Sequence, residues 1–227
     1  MSGSSSRRPQ KKKVLTGRKI LVTAGPTREE IDPVRYITNH SSGKMGYALA
    51  EAAHELGAET TLISGPVNLT PPAGVNFIAV ETTAELHRAV KQEFKKTDCL
   101  IMAAAPSDFT PLAKAKEKIK KDKNNIRLTL TDTPDILKDI NRLKKKNQLL
   151  VGFALETENA LSNARKKLKE KNLDMIVMNN IRDKGAGFEH DTNKVTLLRP
   201  GKKPVAWPLM SKKEISFKLL EILAGLF

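Results

Sequence analysis

Six short runs of β-branched and aliphatic residues, at positions 20–23, 59–63, 75–80, 99–104, 150–154 and 175–178, punctuate the chain. Several of them are hydrophobic on both faces, and a strand of that kind has to be covered on both faces. Longer stretches with helical periodicity lie between them. Residues 44–57 place Met45, Ala48, Leu49, Ala52 and Leu56 on one stripe that Gly57 ends, and residues 83–96 place Leu86, Val90 and Phe94 four apart. Pro134 opens a further helix in its first turn, ahead of Asp135, Ile136, Leu137 and Ile140. Residues 160–171 and 211–226 supply two more. Strands apolar on both sides, joined by segments long enough to cross back as helices, predict an α/β fold: a doubly wound, mostly parallel, Rossmann-like sheet.

Two regions break the alternation. Residues 109–125 carry Lys114, Lys116, Lys118, Lys120, Lys121 and Lys123 among few apolar residues, which predicts an exposed, mobile flap. Residues 194–207 read as a β-hairpin turning at Pro200-Gly201, peripheral to the parallel core. At 227 residues the chain suits one domain over 19–227 behind a flexible basic tail at 1–18. The first 19 residues hold seven of the basic groups and no acid, so the formal charge of +15 overstates how basic the body is. No apolar run approaches the roughly 20 residues needed to span a bilayer. A single cysteine, Cys99, and no secretory leader point to a cytoplasmic protein.

Ligands of open α/β sheets bind beyond the carboxyl ends of the strands. There the chain offers Thr23-Ala24-Gly25-Pro26-Thr27-Arg28 after the first strand, without the G-x-G-x-x-G spacing of a dinucleotide site. Asn39-His40-Ser41-Ser42-Gly43-Lys44-Met45-Gly46 opens straight into a helix, and small residues at a helix N-terminus turn backbone N–H groups toward an anion. It is not a Walker loop, since Thr38 stands where that motif needs glycine. An ordinary serine-capped helix is the competing reading. Arg35 and Asn39 just upstream add a bidentate cation and an amide. Asp108, following a strand and Pro106-Ser107, is placed to meet a magnesium ion or a ribose hydroxyl, or simply to form a turn. Lys118, in the flap, is either part of a solvated charge run or a cation that closes over a polyphosphate. The four histidines have no zinc spacing, and no G-x-S-x-G elbow occurs. Aromatics at 4% provide little base stacking, so no specific nucleic-acid partner is expected.

Taken in order, Gly25-Pro26-Thr27-Arg28-Glu29, Asp32-Pro33-Val34-Arg35-Tyr36-Ile37-Thr38-Asn39, Ser41-Ser42-Gly43-Lys44-Met45-Gly46, Lys118-Ile119-Lys120-Lys121, Pro134-Asp135-Ile136 and Gly152-Phe153-Ala154 resemble phosphopantothenate–cysteine ligase of coenzyme A biosynthesis. The resemblance covers nearly everything beyond the tail. It implies a ligase that activates 4'-phosphopantothenate with a nucleoside triphosphate, CTP ahead of ATP, and releases pyrophosphate. L-cysteine would then consume the acyl-nucleotide, with Mg2+ as cofactor. It implies phosphate contacts at Ser41 and Gly43, and a nucleotide or magnesium contact at Asp108. Further nucleotide contacts fall on Ala104, Pro134, Asp135, Ile136, Leu137, Phe153, Lys167 and Lys171. Lys118 would be the flap lysine that supports intermediate formation, Asn39 the residue needed for its reaction with cysteine, and Arg35 a substrate-side residue near a subunit boundary. A homodimer is implied, with the 194–207 hairpin as an arm, as is association with a phosphopantothenoylcysteine decarboxylase. Pro106-Ser107 departs from the Val-Ala of many bacterial members, which leaves the base preference open. A nucleotide-responsive binding protein without the chemistry is the alternative from another class.

Overall fold

The computed structural model describes residues 12–121, 126–156, 159–180 and 190–227. In chain order come β1 (Lys19–Ala24), β2 (Arg28–Asp32), β3 (Arg35–Thr38), α1 (Lys44–Glu55), β4 (Glu59–Ser64), β5 (Asn76–Ala79), α2 (Thr83–Phe94) and β6 (Cys99–Met102). Then follow β7 (Phe109–Pro111), β8 (Leu130–Asp132), α3 (Ile136–Asn141), β9 (Leu149–Glu156), α4 (Ala160–Glu170) and β10 (Met175–Asn180). Short strands β11 (Thr192–Asn193), β12 (Val195–Leu198), β13 (Val205–Ala206) and β14 (Met210–Ser211) precede α5 (Lys212–Ala224).

The main sheet has the order β13-β12-β10-β9-β6-β1-β4-β5. Its six strands from β5 to β10 are parallel, with β1 between β4 and β6. The chain leaves β1 toward β4 on one side and returns to β6 on the other, which makes the β1–β6 edge the switch point of the sheet. Alternation along each strand builds two separate cores. Ile20, Val22 and Ala24 of β1 join Cys99, Ile101, Val151, Met175 and Val177 beneath α1 and α5. Leu21 joins Leu100, Met102, Leu150, Ile176 and Met178 beneath α2, α3 and α4. Each Val, Leu, Ile or Met among them contributes about 1.5–3 kcal/mol on leaving water. Helix ends follow local chemistry: Thr82 with Glu85 and Ser211 with Glu214 form capping boxes on α2 and α5.

The 194–207 hairpin lies outside the parallel core, as expected, and is joined to it: β12 pairs antiparallel with β10 and buries Val195, Leu197 and Leu198, so it extends the sheet at that edge. Two expectations need correction. Pro134 lies outside its helix, because Asp135 is the N-cap and accepts from the Lys138 N–H. The folded unit also starts before residue 19. Leu15 is fully buried, its N–H donates to Leu56 O at 2.9 Å, and Arg18 O accepts from the Glu59 N–H at 2.9 Å. Of the Lys-rich flap, residues 109–111 pair as β7 with β8, and residues 112–121 lack regular structure. Residues 122–125 lie outside the described residues, Lys123 with them.

Because Leu15 closes the α1 side of the core, Leu15→Ala should cost about 2–5 kcal/mol of unfolding free energy. Denaturant titration checks this, and a change within 0.5 kcal/mol would return residues 12–18 to the tail.

Candidate functional site

The site begins with a close approach. A Cβ on Gly46 would stand 2.5 Å from Ala24 Cβ and 2.8 Å from Thr23 O, so only glycine lets the first turn of α1 rest on the end of β1. Gly43, the N-cap, has φ +74°, a left-handed conformation that favours glycine, and carries no side chain to cap the helix. The N-terminus of α1 is thereby aimed across the carboxyl edge of β1 and β6.

A cleft of about 490 Å3 opens there. It gathers Asn39, Ser41, Gly43, Ala104, Asp108, Phe153 and Lys167 from segments more than 120 residues apart. These are seven of the residues expected from the sequence. Lys44 and Lys212 also line it, and Asp108 is the one carboxylate among the described residues of its lining, so this part of the cleft suits an anion. Phe153 adds an apolar wall. A second cleft of about 440 Å3, lined by Arg28, Tyr36, Thr38, Pro66 and Asn68, shares residues 39–42 and Lys44 with the first. Residues 39–42 with Lys44 are therefore a common wall.

The loop carrying Asp108 is fixed by a buried polar network. Thr27 Oγ1 and Thr83 Oγ1 are 2.8 Å apart, the Ser107 N–H donates to Thr27 Oγ1 at 2.9 Å, and Ser107 O accepts from the hydroxyls of Thr83 and Thr133. Ser107 Oγ donates to Phe109 O at 2.7 Å. The Pro106-Ser107 departure thus has a structural use here. Asn39 reaches the same loop, its Nδ2 donating to Pro106 O at 2.9 Å and Ala105 O at 3.3 Å.

Other expected residues stand back from the cleft. Asp135 caps α3 and pairs with Lys171 at 3.1 Å, Ile136 is buried in the core, and Leu137 packs against the Gly152 backbone beside Phe153. Pro134 is exposed ahead of that cap. Lys118 is exposed and does not line the cleft. Its neighbour Ile119 is tied down. The Ile119 N–H donates to Asp32 Oδ2 at 3.1 Å, and Ile119 O accepts from the Arg35 guanidinium at 2.7 Å. Asp32 also accepts from the Val34 and Arg35 N–H groups and pairs with the Arg35 guanidinium. The hydrogen bonds of that guanidinium, then of the backbone N–H groups of Val34, Ile119 and Arg35, outweigh burial and hold the Asp32 carboxyl well below the usual range. Arg35 is thus a flap anchor in this structure.

Among the described residues no group of three or more His, Cys, Asp or Glu could hold a metal. A lone Asp108 fits a magnesium ion whose other ligands are phosphate oxygens and water. Lys212, Asn179 and Asn193 line the cleft without a sequence signal, because nothing in a helix start or a strand end far along the chain marks its proximity to residues 39–46. Cys99 is core, and burial pushes its thiol up, which makes it unreactive.

Residues 15–226 match the family model described as DNA/pantothenate metabolism flavoprotein C-terminal domain. The chain is 49% identical over 213 residues to the coenzyme A biosynthesis bifunctional protein CoaBC of Bacillus subtilis (strain 168), covering 93% of this chain and 52% of that protein. It is 47% identical over 209 residues to a protein named cysteine/cysteine sulfinic acid decarboxylase from an unspecified prokaryote, covering 92% of this chain and 58% of that one. The chain thus spans somewhat over half the length of these curated relatives. The crystal structure of the C-terminal domain of a CoaBC protein superposes with a TM-score of 0.81 at 42% identity, covering 94% of this chain and 97% of that chain.

The Asp32 node generates a pH prediction. Asp32→Asn should raise hydrogen exchange at the Ile119 amide by roughly tenfold, the loss of a charge-assisted bond. Because the folded pKa is depressed, the stabilisation that Asp32 contributes is complete above the unfolded value near 4 and fades as pH falls through the lower folded value. Equal Ile119 exchange in both proteins at pH 7 would contradict the assignment.

Proposed function

We propose, because the chain belongs to the family of DNA/pantothenate metabolism flavoprotein C-terminal domains, that it joins 4'-phosphopantothenate to L-cysteine at the expense of a nucleoside triphosphate. The observation that carries this reading is the common wall of residues 39–42 and Lys44 between two clefts. A triphosphate in the larger cleft and an acid in the smaller one would meet at that wall. A carboxylate oxygen attacks the α-phosphorus, the bond to the β-phosphate oxygen breaks, and pyrophosphate leaves. The amine of cysteine then attacks the activated carbonyl, loses a proton and expels the nucleoside monophosphate. Holding the reactants in this arrangement, with fixed donors aimed at the phosphates, supplies most of the acceleration.

In this reading Ser41, Gly43 and Lys167 receive phosphates, Ala104 and Phe153 flank the nucleoside, and Asp108 holds magnesium. When bound, the ion neutralises phosphate charge. Asn39, fixed on the 105–106 carbonyls, keeps its amide edge beside the reacting carbonyl. Lys118 is the flap cation that closes on the phosphates, with Arg35 anchoring that flap through Ile119. Pro134, Asp135, Ile136, Leu137 and Lys171 act by setting α3 against α4 and under Gly152, which positions Phe153. CTP is the favoured donor, ATP the second.

A homodimer fits, but on a different surface from the hairpin. Val34, Tyr36, Phe109, Leu112, Leu128 and Leu130 are all 40% exposed or more, on or beside the neighbouring ribbons β2–β3 and β7–β8. Apolar residues so concentrated on a pair of ribbons suit a second copy of the chain. Among the described residues no helix is long and apolar enough to cross a membrane. A cytoplasmic setting fits the small-molecule substrates, as does association with a decarboxylase that consumes the product.

The protein supplied with magnesium, 4'-phosphopantothenate, cysteine and either CTP or ATP should release pyrophosphate and form 4'-phosphopantothenoylcysteine, faster with CTP. Lys118→Ala should slow pyrophosphate release by roughly 100-fold. Asn39→Ala should still form the acyl-nucleotide while losing the cysteine product. Mass spectrometry separates the two. No pyrophosphate with either triphosphate would end the ligase reading, and wild-type rates in both variants would end the role assignments.

A further inference from the structure

A further recess, of about 420 Å3, opens between α4 and the turn that joins β12 to β13, and among the described residues it shares no lining residue with the clefts above. That volume suits a small molecule. Local sequence puts two pairs of cations around it. Arg165 and Lys169 are four apart on α4 and so lie on one face of the helix. Opposite them, Arg199 and Lys202 are the first and last residues of a turn in which the Lys202 N–H donates to Arg199 O at 3.2 Å. Pro200 followed by Gly201 at φ +67° is the pair such a turn favours, and it holds its two ends close together. The floor is apolar, since Leu173 and Leu198 are buried members of the core beneath α4.

These cations are left unneutralised. No described acid lines the recess, and Arg165, Lys169, Arg199 and Lys202 form no ion pair among the described residues. Elsewhere on α4 and its C-cap the chain does supply acids: Lys166 pairs with Glu170 and Lys171 with Asp135. A basic residue in the last turn complements the helix dipole, which accounts for Lys169 alone. Like charges four apart on a helix cost stability, so Arg165 beside Lys169 is not explained by the fold.

We infer that this recess is a second binding site, separate from the proposed active site, for a phosphate monoester with an apolar body. The phosphate dianion is held between the α4 pair and the turn pair, and the body rests on Leu173 and Leu198. Two guanidinium forks match phosphate oxygens bidentately, and four cations exceed what a single carboxylate would offset. The inference does not rest on the nucleotide reading, because the two sites have different linings.

Titration of the full chain with 1-naphthyl phosphate tests this, with calorimetry for affinity and methyl NMR for location. 1-Naphthol and inorganic phosphate serve as probes of each half of the ligand. Wild type should bind 1-naphthyl phosphate saturably, with shifts at the methyl groups of Leu173 and Leu198. It should bind both partial probes more weakly. Arg165→Gln and Arg199→Gln should each weaken binding of 1-naphthyl phosphate by about 10- to 100-fold, the loss of a charge-assisted contact. Lys166→Gln removes a charge from the same helix outside the recess and should bind as wild type does. Both arginines lie at the surface, so the melting temperatures should hold. No saturable binding by wild type would overturn the inference, as would shifts confined to the amides of residues 42–45. Affinity equal to wild type in both arginine variants would overturn it too, and so would equal affinity for 1-naphthol or for inorganic phosphate. The ligase reading is untouched by any of these results and stands or falls on pyrophosphate release.

Discussion

The close approach of α1 to the end of β1 is the constraint on which the site depends. At Gly46 the helix comes so near Ala24 and Thr23 that a single methyl group would push it off the sheet. That contact sets where the N-terminus of α1 points, and so places Ser41, Gly43 and Lys44 over the switch point. The rest of the cleft is built outward from it. Ala104 follows β6, Phe153 is carried by β9, and Asp108 sits on a loop held by the hydroxyls of Thr27, Thr83 and Thr133 around buried Ser107. Glu29, itself buried, accepts from the Thr83 N–H and ties α2 into the same corner. A rigid sheet edge thus presents a preformed arrangement, which is what a reaction dominated by positioning and phosphate electrostatics requires.

Charge is arranged to a different logic from stability. Lys44 and Lys212 each begin a helix, where a cation is unfavourable, and both face the cleft. Ion pairs occur at the cleft and away from it: Lys44 with Asp191, Lys171 with Asp135, Lys144 with Asp174, Lys114 with Glu30. Arg35 is matched too, with Asp32, and that pair holds the flap at Ile119 rather than lining either cleft.

What was legible in the sequence follows from what is local. Strands apolar on both faces announced the covered parallel sheet, because residues such as Leu21 and Val22 must each find a core on opposite sides. The helix-opening motif was legible as a place of special geometry through Gly43 and Gly46, because that need is a property of a few consecutive residues. Long-range placement was not legible. Lys212 looks like any residue of a basic helix start until the fold brings α5 beside α1. The 194–207 hairpin reads as a hairpin whether or not β12 finds β10, and Leu15 looks like part of a basic tail until it meets Leu56. Asp135 and Ile136 carry a resemblance to a nucleotide-binding turn, while their geometry is that of a helix cap and a core residue.

The central claim is that the N-terminus of α1 receives the phosphates of a nucleoside triphosphate. Backbone amide resonances of Ser42, Gly43, Lys44 and Met45, followed by NMR as CTP and magnesium are added, test it most directly. The account predicts large, saturable shifts at these amides and at Lys167 and Phe153, with little change along β12 and β13. Saturable CTP binding that leaves the α1 amides unmoved would contradict it.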